Sequence, residues 1–227
     1  MEIYNLIKDY VRFAGIAPAI DEAHPELGHS LSLFHSCLLE SGLPFAEDER
    51  GRRVTASPAE ISLQHLSRFV VAHLPFNAVT GKSETNEVLF DLYSFLRWLE
   101  KRDIRHGLEQ VDFQNRVQDL TQAQERCLQL SHFLDDETEK TLEEPPQIVQ
   151  TVNDIFSVIK IDKGFIHVKG RHQDDPVRLR LPPGALEMVR MNDHLDLVLG
   201  DTSEKWVILE AGQVFPDSKP GRGISSL

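Results

Sequence analysis

The sequence has no long apolar run and very little cysteine. None of its 227 residues lies in a stretch approaching the roughly 18 consecutive apolar residues that a membrane-spanning helix needs. Its two cysteines, Cys37 and Cys127, are far apart and fit neither a metal-binding nor a redox spacing. No basic segment followed by an apolar core stands at the N-terminus, so no secretory signal is predicted. These absences predict a cytoplasmic protein with two free thiols and no membrane partner.

Basic residues are also scarce. The chain has 24 Lys and Arg against 36 Asp and Glu, which gives a net charge of −12. This excess of acid counts against broad, sequence-independent binding of nucleic acid, because such binding depends on neutralising phosphates. The excess is uneven along the chain, and residues 148–227 are almost neutral, with 10 basic and 11 acidic side chains.

Common catalytic motifs are missing. Neither GxSxG nor HExxH occurs, and the TGKS sequence at 80–83 has Phe76 where a phosphate-binding loop needs glycine. The densest set of metal-ligand side chains has no recognised ligand spacing; it consists of His24, Glu26, His29, His35 and Cys37. We therefore predict no enzymatic activity, no cofactor and no metal, with a metal in the His24–Cys37 region as a weaker alternative.

Helical periodicity fills the first 134 residues. It is strongest over Ser83–Arg102, where apolar side chains at i, i+4, i+7, i+8 and i+11 form one face, and this predicts a central helix. Residues 46–57 are charged and polar around a glycine and predict a loop. Further helices are predicted over Glu2–Phe13, over Ser30–Glu40, from a capping box at Ser57–Glu60, and over Leu108–Leu134.

The last predicted helix carries a seam whose members recur at steps of four and three residues, close to the period of coiled coils. The seam consists of Phe113, Val117, Leu120, Gln124, Cys127 and Leu134. Two interpretations follow. The seam packs on the central helix of the same chain, or it forms a dimer interface in which the polar Gln124 sets the register.

The pattern changes after residue 134. Residues 135–147 hold six acids and the pair Pro145-Pro146, and they predict a linker between domains. Residues 148–216 contain five short β-like runs with one helical turn between the third and fourth, which predicts a small SH3-like or OB-like β-barrel. The fold class is thus α+β with two segregated domains, an all-α bundle over 1–134 and this barrel, and a disordered tail is predicted over 217–227.

The predicted barrel concentrates basic residues in its first three strands. With Phe165 and His167 nearby, they predict a nucleic-acid surface of the OB kind, in which cations alternate with rings. The alternative is a solvated strand face balanced by neighbouring acids. The basic residues are Lys160, Lys163, Lys169, Arg171, Arg178 and Arg180.

Residues 57–104 read SPAEISLQHLSRFV and, further on, ETNEVLFDLYSFLRWLEKRDI. This pair of helices resembles the SAM-like core-binding domain of tyrosine recombinases. The resemblance implies a helical bundle that contacts DNA or protein. It implies no strand cleavage, because the Arg, His and Tyr signature of the family's catalytic domain has no counterpart here. The family's bundle is usually basic, whereas this region is acidic.

The first hypothesis for function is a non-enzymatic interaction or regulatory protein, which binds a protein partner or another copy of itself. The alternative is an accessory nucleic-acid-binding protein that uses the basic strands of the barrel. In that alternative, cations after the central helix could contribute, namely Arg97, Lys101, Arg102 and Arg105.

Overall fold

The computed structural model describes residues 1–19, 24–49, 51–77, 82–109 and 111–217, without the side chains of 76, 77, 82 and 83. Among these, Met1–Thr121 form one unit and Gln122–Ser218 delimit a second, each with its own apolar core. The fold is mixed α+β, with helices in the N-terminal part and an antiparallel sheet in the C-terminal part. The division thus falls at 121/122, ahead of the predicted linker.

The first unit is built around one long helix. In chain order it comprises α1 (Ile3–Ala14), a 3₁₀ turn (Pro25–Leu27), α2 (His29–Glu40), β1 (Phe45–Asp48), β2 (Gly51–Val54), a 3₁₀ turn (Pro58–Glu60), α3 (Leu63–Arg68), a π-helical turn (Phe69–His73), α4 (Leu74–Asn77) and α5 (Lys82–Glu100). Helix α5 buries most of the apolar face that the sequence predicts, including Leu92, Phe95 and Leu99. It packs against α1 and α2.

The predicted loop at 46–57 is wrong, because β1 and β2 form an antiparallel hairpin there. Phe45 lies opposite Val54, and Asp48 lies opposite Gly51. The hairpin buries fully only Val54, so its strands lack the apolar alternation that reveals a strand in sequence. The pair Arg53–Asp48, with 2.8 Å between Nη1 and Oδ2, joins the two strands. The N-terminal region is therefore not purely helical.

The capping box at Ser57–Glu60 exists, but it caps a short element. The Ser57 hydroxyl accepts from the Ala59 N–H, and Glu60 accepts from the Ser57 N–H at 2.7 Å. One 3₁₀ turn follows, and the longer helix starts only at Leu63. A second box begins it, in which the Ser62 N–H donates to Nδ1 of His65 at 2.9 Å.

Helix α6 (Phe113–Glu143) begins in the first unit and continues into the second. The predicted end at Leu134 is wrong, since residues 135–143 of the predicted linker are helical. Local bonds favour this extension. The Thr138 and Thr141 hydroxyls donate to carbonyls one turn earlier, and Lys140 pairs with Glu137 at 2.6 Å. The helix stops just before Pro145-Pro146, where a proline would block its bonding.

The second unit is an antiparallel sheet with α6 against it. Its strands are β3 (Gln150–Asp162), β4 (Phe165–Gly170), β5 (Val177–Arg180), β6 (His194–Asp201) and β7 (Trp206–Phe215), with α7 (Pro183–Met188) between β5 and β6. The order across the sheet is β5-β4-β3-β6-β7. The sheet curls into a half-barrel, which brings Cα atoms of its two edge strands, β5 and β7, within 8 Å of each other.

A bidentate ion pair fixes α6 in this unit. The Arg126 guanidinium donates to both oxygens of Asp193, at 2.7 and 2.8 Å, and to the Met188 carbonyl at 2.6 Å. The Arg190 N–H also donates to Asp193, whose side chain is only 1% exposed. Beside this pair, Cys127, Leu130 and Leu134 of α6 join the core of the sheet.

None of the helices in the described ranges has both the length and the apolar composition that crossing a bilayer requires.

We predict that Asp193→Asn lowers the free energy of unfolding by about 3–5 kcal/mol, because the substitution leaves the Arg126 charge largely buried without its counter-ion. Urea titration followed by tryptophan fluorescence measures the change. The matched control is Glu137→Gln, which breaks a solvent-screened pair on the same helix and should cost much less stability. Equal losses in the two variants would contradict a central role for the Arg126 pair.

Candidate functional site

The outer surface of the sheet carries a cluster of cations and rings. On β4, Ile166 and Val168 are buried, so strand alternation places Phe165, His167 and Lys169 on the outer side. On β5, buried Val177 and Leu179 leave the two intervening arginines exposed in the same way. We call this surface the basic face; it consists of Lys160, Phe165, His167, Lys169, Arg178 and Arg180.

Strand register brings these side chains together. His167 lies between Lys160 of β3 and Arg178 of β5, and Phe165 lies opposite Arg180. The Arg178 guanidinium sits over the Phe165 ring, with 3.6 Å between its central carbon and the ring centroid. Such a cation–π contact holds a flexible side chain in place and keeps its charge at the surface. The four cations and two rings therefore form one continuous surface.

One acid, Asp162, lies within the basic face. Its Oδ2 accepts from Lys160 at 2.8 Å and lies 2.9 Å from Nε2 of His167. The hydrogen bond from Lys160 lowers the pKa of Asp162, and His167 lowers it further. Asp162 thus orients two members of the face and neutralises part of its charge.

The other two predicted cations lie at the margins of the basic face. Lys163 is in the turn between β3 and β4, and Arg171 is exposed in the loop that follows β4. Of the six predicted residues, the structure places four on the same outer surface of the sheet, namely Lys160, Lys169, Arg178 and Arg180.

A hollow of about 370 Å³ lies between the end of β5, the start of β7 and α6, and it shares Arg180 with the basic face. Arg180, Lys205 and Trp206 line it, together with Glu137 and Thr141 of α6. Sequence reasoning missed Lys205 and Trp206, because their approach to β5 depends on the curl of the sheet.

Two acids lie on the outer surface of the sheet away from the basic face. On β6 and β7, Asp196 and Glu210 occupy outward positions, opposite Ile155 and Val198. The outer surface is therefore polarised, with cations over β3–β5 and acids over β6–β7.

The predicted seam on α6 is divided between the two cores. Phe113 and Leu120 are buried in the first, and the Phe113 ring lies 5.4 Å from that of Tyr93 on α5. Cys127 and Leu134 are buried in the second. Val117 is partly buried in the first core, and Gln124 is only 9% exposed. Within one chain these side chains are buried or partly buried, and α5 is only part of what surrounds them. The dimer interpretation of the seam stays a prediction.

Several possible metal ligands of the His24–Cys37 region make other contacts. His24 donates from Nε2 to the Arg52 carbonyl at 2.7 Å, and Nε2 of His35 accepts from the Val54 N–H at 3.0 Å. His29 instead faces Glu84, 3.9 Å away. Over the residues that the structure describes, no three or more such side chains are placed to hold a metal ion.

Both thiols are buried. Removal from water raises the pKa of Cys37 and that of Cys127 to about 12. At neutral pH neither is a thiolate, so neither is suited to act as a nucleophile or metal ligand. In the TGKS segment, Thr80 and Gly81 lie outside the described residues, and so do the side chains of Lys82 and Ser83.

Comparisons with models of protein families, with curated proteins and with solved structures found no match. The likeness of residues 57–104 to the recombinase core-binding domain therefore stays a prediction.

The buried imidazole of His35 should make the first unit sensitive to acid. Burial, together with a smaller effect of the nearby His24, lowers the pKa of His35 to about 4. The unfolded chain takes up this proton below about pH 6.5, and the folded chain does so only near pH 4. We expect this group to remove about 3 kcal/mol from the free energy of unfolding as the pH falls through that window.

Urea unfolding of the wild type and of His35→Gln at several pH values measures this effect. The variant should lose less stability between pH 6.5 and 4 than the wild type, because glutamine takes up no proton. His29→Gln, which removes a half-exposed imidazole from the same helix, controls for the loss of a histidine. Parallel pH curves for the wild type and His35→Gln would exclude His35 as the cause.

Proposed function

We propose that this chain is a non-enzymatic binding protein whose C-terminal unit binds single-stranded nucleic acid on the basic face. The observation that carries the proposal is the stack of Arg178 on Phe165, with His167 and three more cations on the same strand surface. Cations beside rings are what a single strand requires, because its phosphates need neutralising and its bases need a surface on which to stack.

Strand topology supports an OB-like identity for the half-barrel. The first strand of the sheet, β3, pairs with the second and the fourth, and α7 separates the third from the fourth. This is the arrangement of an OB barrel, which binds oligonucleotides on its second and third strands and on the loops after its first and fourth strands. Here those strands are β4 and β5. The loops contain Lys163 and Lys205, which are both exposed.

The rings of the face favour a single strand over a duplex. Bases in a duplex are already stacked on each other, so Phe165 and His167 could gain contact area only from unpaired bases. Phosphates would be bound by the cations around these rings. Asp162 leaves the face with a net positive charge, because it is the single acid among the side chains named.

The test is fluorescence anisotropy of the full chain with a labelled single-stranded oligonucleotide of about 16 nucleotides over a series of salt concentrations. We expect the logarithm of the association constant to fall linearly with the logarithm of the salt concentration. The slope should be about −3, the value for four to five neutralised phosphates of a single strand. Arg178→Glu with Arg180→Glu should abolish binding, because two attractive charges become repulsive. Phe165→Ala should weaken binding by about 1–3 kcal/mol through lost stacking.

The matched control reverses two exposed cations of the same unit that lie outside the basic face, Lys140→Glu with Arg190→Glu. It changes the net charge equally and should keep most of the affinity. A duplex of the same length should bind more weakly. No binding at low salt, or equal losses in the two double variants, would refute the proposal.

A further inference from the structure

A groove with exposed aromatic side chains lies in the first unit, between the end of α1 and the outer side of α5. Its volume is about 710 Å³. Phe13 and Phe90, at its margin, are 69% and 68% exposed, although both are large apolar side chains. A folded protein rarely leaves two such rings in water beside one groove unless another molecule covers them.

The floor of the groove is rigid. Tyr10 and Trp98 are only 7% and 6% exposed, and their ring centroids are 5.6 Å apart. Trp98 also stacks on Phe95 of the core, at 6.3 Å. The indole N–H of Trp98 is buried and has no hydrogen-bond partner among the described residues. The site is thus preformed, with an apolar base and one unused donor.

Among the described residues, every charged side chain that lines the groove is a cation; they are Arg97, Lys101 and Arg102. Arg102 lies over the Trp98 ring at 4.3 Å and reaches towards Phe13 at 5.7 Å. Arg97 is hydrogen-bonded to Glu100, so its charge is partly neutralised. An occupant must therefore combine apolar side chains with negative charge.

We propose that this groove binds an acidic peptide segment of a protein partner, whose large apolar side chains pack against Phe13 and Phe90. Acidic residues of the segment pair with Lys101 and Arg102. An amphipathic segment in a groove between helices is a common mode of peptide recognition. A nucleic acid fits less well, because Glu100 already neutralises part of the charge of Arg97, one of the three cations that would have to bind phosphates.

Phage display of short random peptides on the full-length chain tests the proposal, with subtraction on a Phe13→Ser, Phe90→Ser variant. Both positions are exposed, so the variant should fold, which circular dichroism checks. We expect a consensus rich in Asp or Glu and in large apolar residues. A synthetic consensus peptide should bind the double variant about tenfold or more weakly. Lys101→Glu should weaken binding and reduce its salt dependence.

The matched controls lie on the hairpin of the same unit. Phe45→Ser removes another exposed phenylalanine, which is also covered by an arginine, and Arg52→Glu reverses that arginine. Both should bind the peptide like the wild type, as should Arg178→Glu with Arg180→Glu. No enrichment, a consensus without acids, equal binding to the double variant, or displacement of the peptide by a single-stranded oligonucleotide would overturn the proposal.

Discussion

The C-terminal unit depends on the buried ion pair between Arg126 and Asp193. Moving two charges out of water is costly, and their attraction offsets that cost only when the remaining hydrogen-bonding groups are also satisfied. Here both carboxylate oxygens accept from Arg126, one also accepts from the Arg190 N–H, and the guanidinium donates to the Met188 carbonyl. A network this complete specifies where α6 meets the loop before β6, whereas apolar packing alone would tolerate some sliding.

The same residue connects the core to the basic face. The Asp193 carbonyl accepts from the Val158 N–H at 2.9 Å, and the adjacent Asn192 N–H donates to the Val158 carbonyl, also at 2.9 Å. β3 has its register shift towards β4 immediately afterwards, between Val158 and Lys160. A bulge of this kind changes which side of a strand the next side chain occupies. Lys160 is thereby placed opposite His167, so a buried ion pair on one side of the sheet helps position a cation on the other.

Sequence periodicity is enough to predict a strand or a helix wherever that element buries one face. The structure has the predicted five strands with one helical turn between the third and the fourth, because alternation as in β4 can be recognised without knowledge of the partner strands. The hairpin could not be predicted, since Val54 is the only fully buried residue of its two strands, Phe45–Asp48 and Gly51–Val54. The end of α6 was misjudged because acids at 135–144 suggested repulsion, while Thr138 and Lys140 form local bonds. The hollow beside Trp206 arises from the curvature of the sheet, which leaves no local pattern in the sequence.

The net charge of this protein does not describe its individual surfaces, because its charges are segregated. At physiological ionic strength the field of a surface charge decays over about 8 Å, so a ligand on the basic face responds mainly to that face. Asp162 is the one acid within it and is already shared by Lys160 and His167. Asp196 and Glu210 lie across the sheet on β6 and β7, where they would repel a polyanion that strayed from β4 and β5. In the proposed function, these two acids would keep a bound strand on β4 and β5, and they would contribute orientation more than affinity.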